Sequence, residues 1–251
     1  STLDRSSAAS DVYKRQLLQE AGYRTGLFIS PHLHTLRERI QIDGQLLSKD
    51  QWAAGVSTLF DRSRSLIRYT QAEGGFSKFE ALTVLAAHLF AIHKVEIAVF
   101  EVGLGGRYDA TNAWDADISV LTSISLDHTA ILGNDLISIA TEKLCIARSH
   151  RTLVTTSRQA AEVRQFLQRE CERQQIRLLA DGAGCVLGSS NGQPHTALRS
   201  RNYGDNARLA VTAGDEMVPA ERRLEQERVD RIVDNHQWPG RFEVAQREPL
   251  L

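Results

Sequence analysis

Two apolar patterns alternate along the chain. Residues 24–30, 95–102 and 118–124 are short runs rich in β-branched and other apolar side chains. Apolar at most positions, the last two predict strands buried on both faces of a sheet. Residues 79–93 and 136–148 instead place apolar side chains at helical spacing. Residues 17–21 read as the last turn of a helix capped by Gly22. Residues 39–42 and 45–47 flank Asp43-Gly44, a hairpin signal. Ser48 and Gln51 form a capping-box pair that opens a helix running to about Tyr69. Further on, residues 152–155 predict a strand, 159–175 a helix and 177–179 a strand. Two more helical stretches lie near 206–213 and 220–235. Residues 182–200 are rich in Gly, Ser and Asn and predict irregular structure or short antiparallel strands. Strands alternating with helices predict an α/β fold, a mostly parallel sheet with helices on both faces.

Composition narrows the class without choosing a function. The chain has 251 residues, 42% hydrophobic and 24% charged, which suits one large domain or two small ones. Thirty basic against 31 acidic residues exclude a general polyanion binder, so no nucleic-acid partner is expected. No apolar run reaches the ~18 residues of a membrane span. The three cysteines, Cys145, Cys171 and Cys185, show no C-x-x-C spacing. They predict free thiols in a reducing, cytoplasmic compartment.

The N-terminus is a special case. Residues 1–16 show no helical or strand period, and the string SSAASDVYKRQ from Ser6 to Gln16 resembles the translation of a sequencing-library adapter. On that reading they stand outside the fold. Residues 17–244 then form part of a central domain, and 245–251 begin a truncated segment.

In an open parallel sheet, ligands bind beyond the carboxyl ends of the strands, so chemistry is sought just after each apolar run. Ser30-Pro31-His32-Leu33 follows the first run. Glu101-Val102-Gly103-Leu104-Gly105-Gly106-Arg107 follows the second and continues into Asp109-Ala110-Thr111-Asn112. Ser125-Leu126-Asp127-His128 follows the third, and Glu142-Lys143 lies on the next helix. A hydroxyl, a carboxylate and an imidazole on one rim can hold a divalent cation, and a cation there can bind phosphate oxygens. Taken singly, these residues also read as a turn serine, a surface acid, a loop and a solvated lysine.

The order of the motifs is more specific than any one of them. SPHL, RERI at 37–40, SKFE at 77–80, EVGLGGRYDATN, TSISLDH and EK together resemble folylpolyglutamate synthase/dihydrofolate synthase, of the Mur ligase superfamily. The resemblance is strong over residues 17–155. It continues through Asn206-Ala207 to Pro239-Gly240-Arg241-Phe242. It implies the central ATPase domain of that fold, with the C-terminal glutamate-ligase domain outside the chain. It implies Mg2+ ligation by Ser30, Glu101 and His128, and a carbamylated Lys143 helping to hold a second metal. Ser77, Phe79 and Glu80 would line the pteroate site, facing Tyr108, Asp109 and Ala110. Asn206 and Arg241 would contact ATP. His32, Arg37 and Arg39 are candidates for orienting substrate carboxylates, or ordinary surface charges.

The implied reaction is ATP-dependent addition of L-glutamate to folate or dihydropteroate through an acyl phosphate, by a cytoplasmic monomer of folate and one-carbon metabolism. One implied element is missing: no G-x-x-G-K-[ST] loop occurs in the 251 residues. Two other readings therefore stand beside the first. One is a Mur-type amino-acid ligase of cell-wall synthesis. The other is a non-catalytic homologue that keeps the fold without that loop.

Overall fold

The computed structural model describes residues 6–70, 76–181 and 201–234. Cys185, Arg241, and the stretches 182–200 and 245–251 lie outside them. The chain opens with α1 (Ser6–Glu20), which leads into β1 (Thr25–Phe28). The hairpin β2 (Ile40–Ile42) and β3 (Gln45–Leu46) follows, then α2 (Lys49–Thr70), α3 (Lys78–Ile92) and β4 (Ile97–Phe100). Beyond lie β5 (Ile118–Leu121), the short α4 (Thr129–Leu132), α5 (Leu136–Leu144), β6 (Thr152–Thr155), α6 (Ala161–Gln174) and β7 (Arg177–Ala180). Helices α7 (Arg201–Met217) and α8 (Gln226–Asp234) complete it.

The strands form two sheets, in the orders β3-β2-β1-β4 and β5-β6-β7. The second sheet is parallel throughout, and β1 pairs in parallel with β4. The hairpin adds two antiparallel strands at one edge. Its two-residue turn puts Asp43 at φ 49° and Gly44 at φ 73°, the pair of positive values a tight hairpin needs.

Both faces are covered, as the sequence predicts, and strand alternation shows how. Phe28 faces a core built with Leu82, Leu85 and Leu89 of α3. Its neighbours Leu27 and Ile29 face the opposite core, with Leu18 of α1 and Val218. In the second sheet Leu153 packs with Ile139 of α5 and Leu167 of α6, while Val154 meets Leu209 and Ala213 of α7.

Three expectations need correction. Residues 6–16 are helical and continuous with the predicted last turn. Tyr13 and Leu17, one turn apart, make one apolar stripe that packs on Ala207, Ala210 and Val211 of α7, and Tyr13 is fully buried. β4 and β5 are not buried throughout: Ala98 is exposed, because the strands border a cavity. Helix α5 ends at Leu144 and not at Arg148, whose guanidinium turns back onto the carbonyls of Cys145 and Ala147. Helix α4 was not foreseen; four residues are too few to show a period.

Candidate functional site

A cavity of about 560 Å3 opens between β4 and β5 and reaches the loops at their carboxyl ends. Glu101, His128 and Lys143 line it. They come from the loop after β4, the loop after β5 and the last turn of α5. Ser30 joins them through its backbone N–H, which donates to Glu101 Oε2 at 2.6 Å. Ser30 and Glu101 are therefore neighbours, and His128 lines the same cavity. Among the described residues no group of three His, Cys, Asp or Glu side chains converges as a metal cage. The donor set is instead one buried carboxylate, one hydroxyl and one imidazole. Two oxygens and a nitrogen suit a hard divalent cation that keeps several waters and bridges to phosphate. Arg39 lies close enough to interact with Glu101. Burial pulls its guanidinium pKa down, and the Glu101 charge partly restores it.

Four local devices hold these residues in place. The first orders the loop after β1. The Glu38 carboxylate accepts from the N–H groups of Leu33 at 2.7 Å, His34 at 2.9 Å and Thr35 at 2.6 Å. Burial opposes its ionisation, yet these N–H groups and the His34 imidazole hold its pKa below the ordinary value. Arg39 Nε then donates to His32 Nδ1 at 3.0 Å, and Arg37 donates to the Leu47 carbonyl at 2.7 Å. Arg37 thus braces the hairpin.

The second device orders the glycine-rich loop. Asp109 Oδ2 accepts from Gly103 N–H at 2.9 Å and Leu104 N–H at 3.0 Å. Its Oδ1 accepts from the Thr111 N–H and hydroxyl at 2.9 and 2.6 Å. Both oxygens serve the loop, which makes Asp109 a positioning residue in this structure.

Close backbone approach is the third device. A Cβ on Gly106 would stand 2.6 Å from the Glu142 carbonyl and 3.0 Å from that of Lys143. A Cβ on Gly103 would stand 2.7 Å from the Phe79 ring. Only glycine lets the loop lie on α5 on one side and on α3 on the other. Arg107 locks the first contact: its Nε donates to Glu142 Oε1 at 2.9 Å and its N–H to the Glu142 carbonyl at 3.1 Å. The GGR and EK motifs are one structural unit, and it carries Lys143 to the cavity.

The fourth device aims the loop after β5. Gln159 is buried; it accepts from Ile124 N–H at 2.9 Å and donates to the Thr122 carbonyl at 2.7 Å. His128 follows at φ 52°, an uncommon conformation for a residue with a Cβ. Its N–H donates to Asp127 Oδ1 at 2.8 Å, and its Nε2 lies 3.7 Å from Asp127 Oδ2.

The implied pteroate residues divide. Ser77 and Glu80 close a reciprocal cap on α3: Glu80 N–H donates to Ser77 Oγ at 3.1 Å, and Ser77 N–H to Glu80 Oε2 at 2.6 Å. Phe79 lies between Gly103 and Phe28, 5.6 Å from the latter ring. Tyr108 is 92% exposed and Ala110 begins a short 3-10 turn. Asn206 is buried in α7 and is not among the described residues lining the cavity. Sequence reasoning passed over Glu38, the Arg107–Glu142 pair and Gln159. A signal existed only for the first, since Thr35-x-x-Glu38 has capping-box spacing.

No protein-family model matches the chain. Individual relatives do. The dihydrofolate synthase/folylpolyglutamate synthase of Bacillus subtilis is 33% identical over 265 residues, covering 95% of this chain and 59% of that protein. The protein of the same description in Mycobacterium tuberculosis is 32% identical over 257 residues, 91% of this chain and 53% of its own. A crystal structure of Mycobacterium tuberculosis folylpolyglutamate synthase, complexed with ADP and AMPPCP, matches with a TM-score of 0.81 at 30% identity, covering 96% of this chain and 58% of that one. The Escherichia coli enzyme FolC, in complex with DHPP and ADP, matches at 0.75 and 26%, covering 96% and 57%. The resemblance to folylpolyglutamate synthase/dihydrofolate synthase is thus shown over nearly the whole chain, in sequence and in α/β fold. The chain spans between half and three fifths of the length of these relatives.

Proposed function

We propose that this chain carries the folate- and phosphate-facing part of an ATP-dependent ligase that joins L-glutamate to folate or dihydropteroate. One observation carries the reading: Glu101, His128 and Lys143 line one cavity, beside a glycine-rich loop that lies directly on Phe79. The relatives support the same reading. The neighbours solved with ADP, AMPPCP and DHPP bind a nucleotide and a folate precursor in this fold.

In the complete reaction a substrate carboxylate oxygen attacks the γ-phosphorus of ATP, and ADP leaves. The amine of L-glutamate then attacks the acyl carbon. Phosphate leaves with the former carboxylate oxygen, and the nitrogen loses a proton. Phe79 offers an aromatic edge to the pterin, fixed by its contacts with Gly103 and Phe28. Glu101, Ser30 and His128 would hold Mg2+, which supplies charge neutralisation for the phosphates. Lys143, once its amine has taken up CO2, would add a carboxylate to the same cavity. The work of this chain is positioning and electrostatics, as in phosphoryl transfer generally. We place the protein in the cytoplasm, as a monomer.

The sequence contains no G-x-x-G-K-[ST] loop to seat the β- and γ-phosphates. A second reading stands beside the first for the chain itself: a non-catalytic homologue that keeps the fold and binds no ATP. A dihydropteroate titration, run beside a UDP-sugar peptide precursor, tests the substrate class. Saturable binding of dihydropteroate, weakened at least tenfold by Phe79→Ala, supports a folate ligase. Binding of the UDP-sugar alone would make it a Mur-type ligase. ADP release above that of Glu101→Ala separates turnover from binding alone.

A further inference from the structure

The end of α5 is gripped on both sides of Lys143. Before it, Glu142 takes the guanidinium and the backbone N–H of Arg107. After it, Arg148 folds back onto the helix. Its Nη1 donates to the Cys145 carbonyl at 3.0 Å and to the Ala147 carbonyl at 3.4 Å. A cation that hydrogen-bonds the carbonyls at a helix C-terminus caps it.

The same guanidinium reaches a second segment, 33–36 residues earlier in the chain. Its Nη2 donates to the Asn112 carbonyl and to Asn112 Oδ1, each at 2.9 Å, and to the Trp114 carbonyl at 3.3 Å. Its Nε donates to Asp115 Oδ1 at 2.6 Å. All three nitrogens are engaged, and only one acceptor is charged. The Asp115 side chain is 79% exposed, so that ion pair adds little. Arg148 chiefly gathers neutral oxygens from two segments, a task for the planar fork of a guanidinium.

Asn112 joins the two grips. Its Nδ2 donates to the Arg107 carbonyl at 3.1 Å, while its Oδ1 accepts from Arg148. Arg107, Asn112 and Arg148 thus form one bracket. Its ends rest on α5 at Glu142 and, just past the helix, on Cys145 and Ala147. Lys143 lies between those ends, and its side chain lines the cavity. Arg148 is not among the described residues that line the cavity.

We propose that Arg148 is a positioning residue for Lys143. It holds the end of α5 against the turn at 112–115 and so fixes the backbone from which the lysine amine enters the cavity. The proposal rests on the role read for Lys143 above. There the neutral amine attacks CO2, a C–N bond forms, and the nitrogen gives up a proton to water. Residues that orient a ligating group govern how well its site is occupied.

The test equilibrates the full chain with isotope-labelled bicarbonate and Mg2+ and reads the Lys143 carbamate by carbon NMR, with Lys143→Arg as the blank. Arg148→Met should lower that signal about tenfold. Asn112→Ala opens the bracket at its middle and should do the same, and the double variant should be no worse than either. Arg151→Met removes a neighbouring ion pair, Arg151 to Asp117 at 2.6 Å, and spares the bracket, so its signal should match the parent chain. The amides of Ile146 and Ala147, which donate to the carbonyls of Lys143 and Leu144, should exchange about tenfold faster in Arg148→Met and Asn112→Ala. Should Arg148→Met not fold, Asn112→Ala decides alone. An undiminished carbamate overturns the proposal. Additive losses in the double variant, or an equal loss in Arg151→Met, overturn it too, because they trace the effect to stability at large. A parent chain without any carbamate contradicts the role read for Lys143 instead. Exchange at Ile146 and Ala147 then decides whether Arg148 holds this turn: faster exchange upholds it, and unchanged exchange overturns it.

Discussion

The loops after β1 and β4 hold half-buried carboxylates and the α1 lobe a buried one, and they treat them in opposite ways. In those loops, Glu38 takes three backbone N–H groups, and Asp109 takes three N–H groups and a hydroxyl. Each carboxylate repays its desolvation by fixing a loop. In the lobe, Asp11 is 4% exposed and sits beside Ser10, whose hydroxyl has no hydrogen-bond partner among the described residues. Burial pushes the Asp11 carboxyl above its ordinary value, and the Lys14 charge only partly opposes it. Apolar contacts through Tyr13 and Leu17 hold α1, while burial works against the charge of Asp11. A residue type can therefore belong to its position or merely be tolerated there, and hydrogen-bond satisfaction tells the two apart. The misfit falls within residues 6–16.

That contrast can be broken at its strongest point first. Gly106→Ala drives a Cβ into the backbone of α5 and should cost about 3 kcal/mol. Thermal melting should fall by roughly 10 °C, and an unchanged melting temperature would show that the loop does not rest on the helix. Asp109→Asn turns an amide toward two N–H donors and should cost about 2 kcal/mol in chemical denaturation. The paired change Asp11→Leu with Lys14→Met removes a buried ion pair and should stabilise by about 1 kcal/mol; a loss instead would place Asp11 with the rim carboxylates.

Glu38→Gln sharpens the contrast through pH. The folded pKa of Glu38 lies below its ordinary 4.5. Its stabilisation is complete above that value and is lost as pH falls through the lower, folded pKa. The variant should be about 1 kcal/mol less stable at neutral pH, and the gap should close in acid. A gap independent of pH would mean that packing, and not charge, does the work. The smallest effect concerns Cys171, whose pKa burial raises to about 11. At pH 8 it should resist alkylation in the folded protein and react on unfolding.

The helices and strands were largely legible because their periods are long and regular. Phe79 and its neighbours in α3 announce a helix, and Asp43-Gly44 announces its hairpin. Glu101, His128 and Lys143, singled out by the motif order, line one cavity, because strand ends in a parallel sheet share a rim. What sequence could not show was contact between distant residues. Nothing local to Gly106 says that α5 passes within van der Waals distance. Nothing near Gln159 says that it aims the loop carrying His128. Helix α1 was missed between residues 6 and 16 because a stripe of two apolar residues gains meaning only beside α7.

The central claim is that the loop after β1 and the glycine-rich loop after β4 form one site, each held by its own carboxylate. Hydrogen exchange with saturating dihydropteroate tests it most directly. The account predicts that amides 31–38 and 103–111 gain protection together, and that Asp109→Asn weakens both gains. Protection of one loop without the other, or of neither while ligand binds, would contradict it.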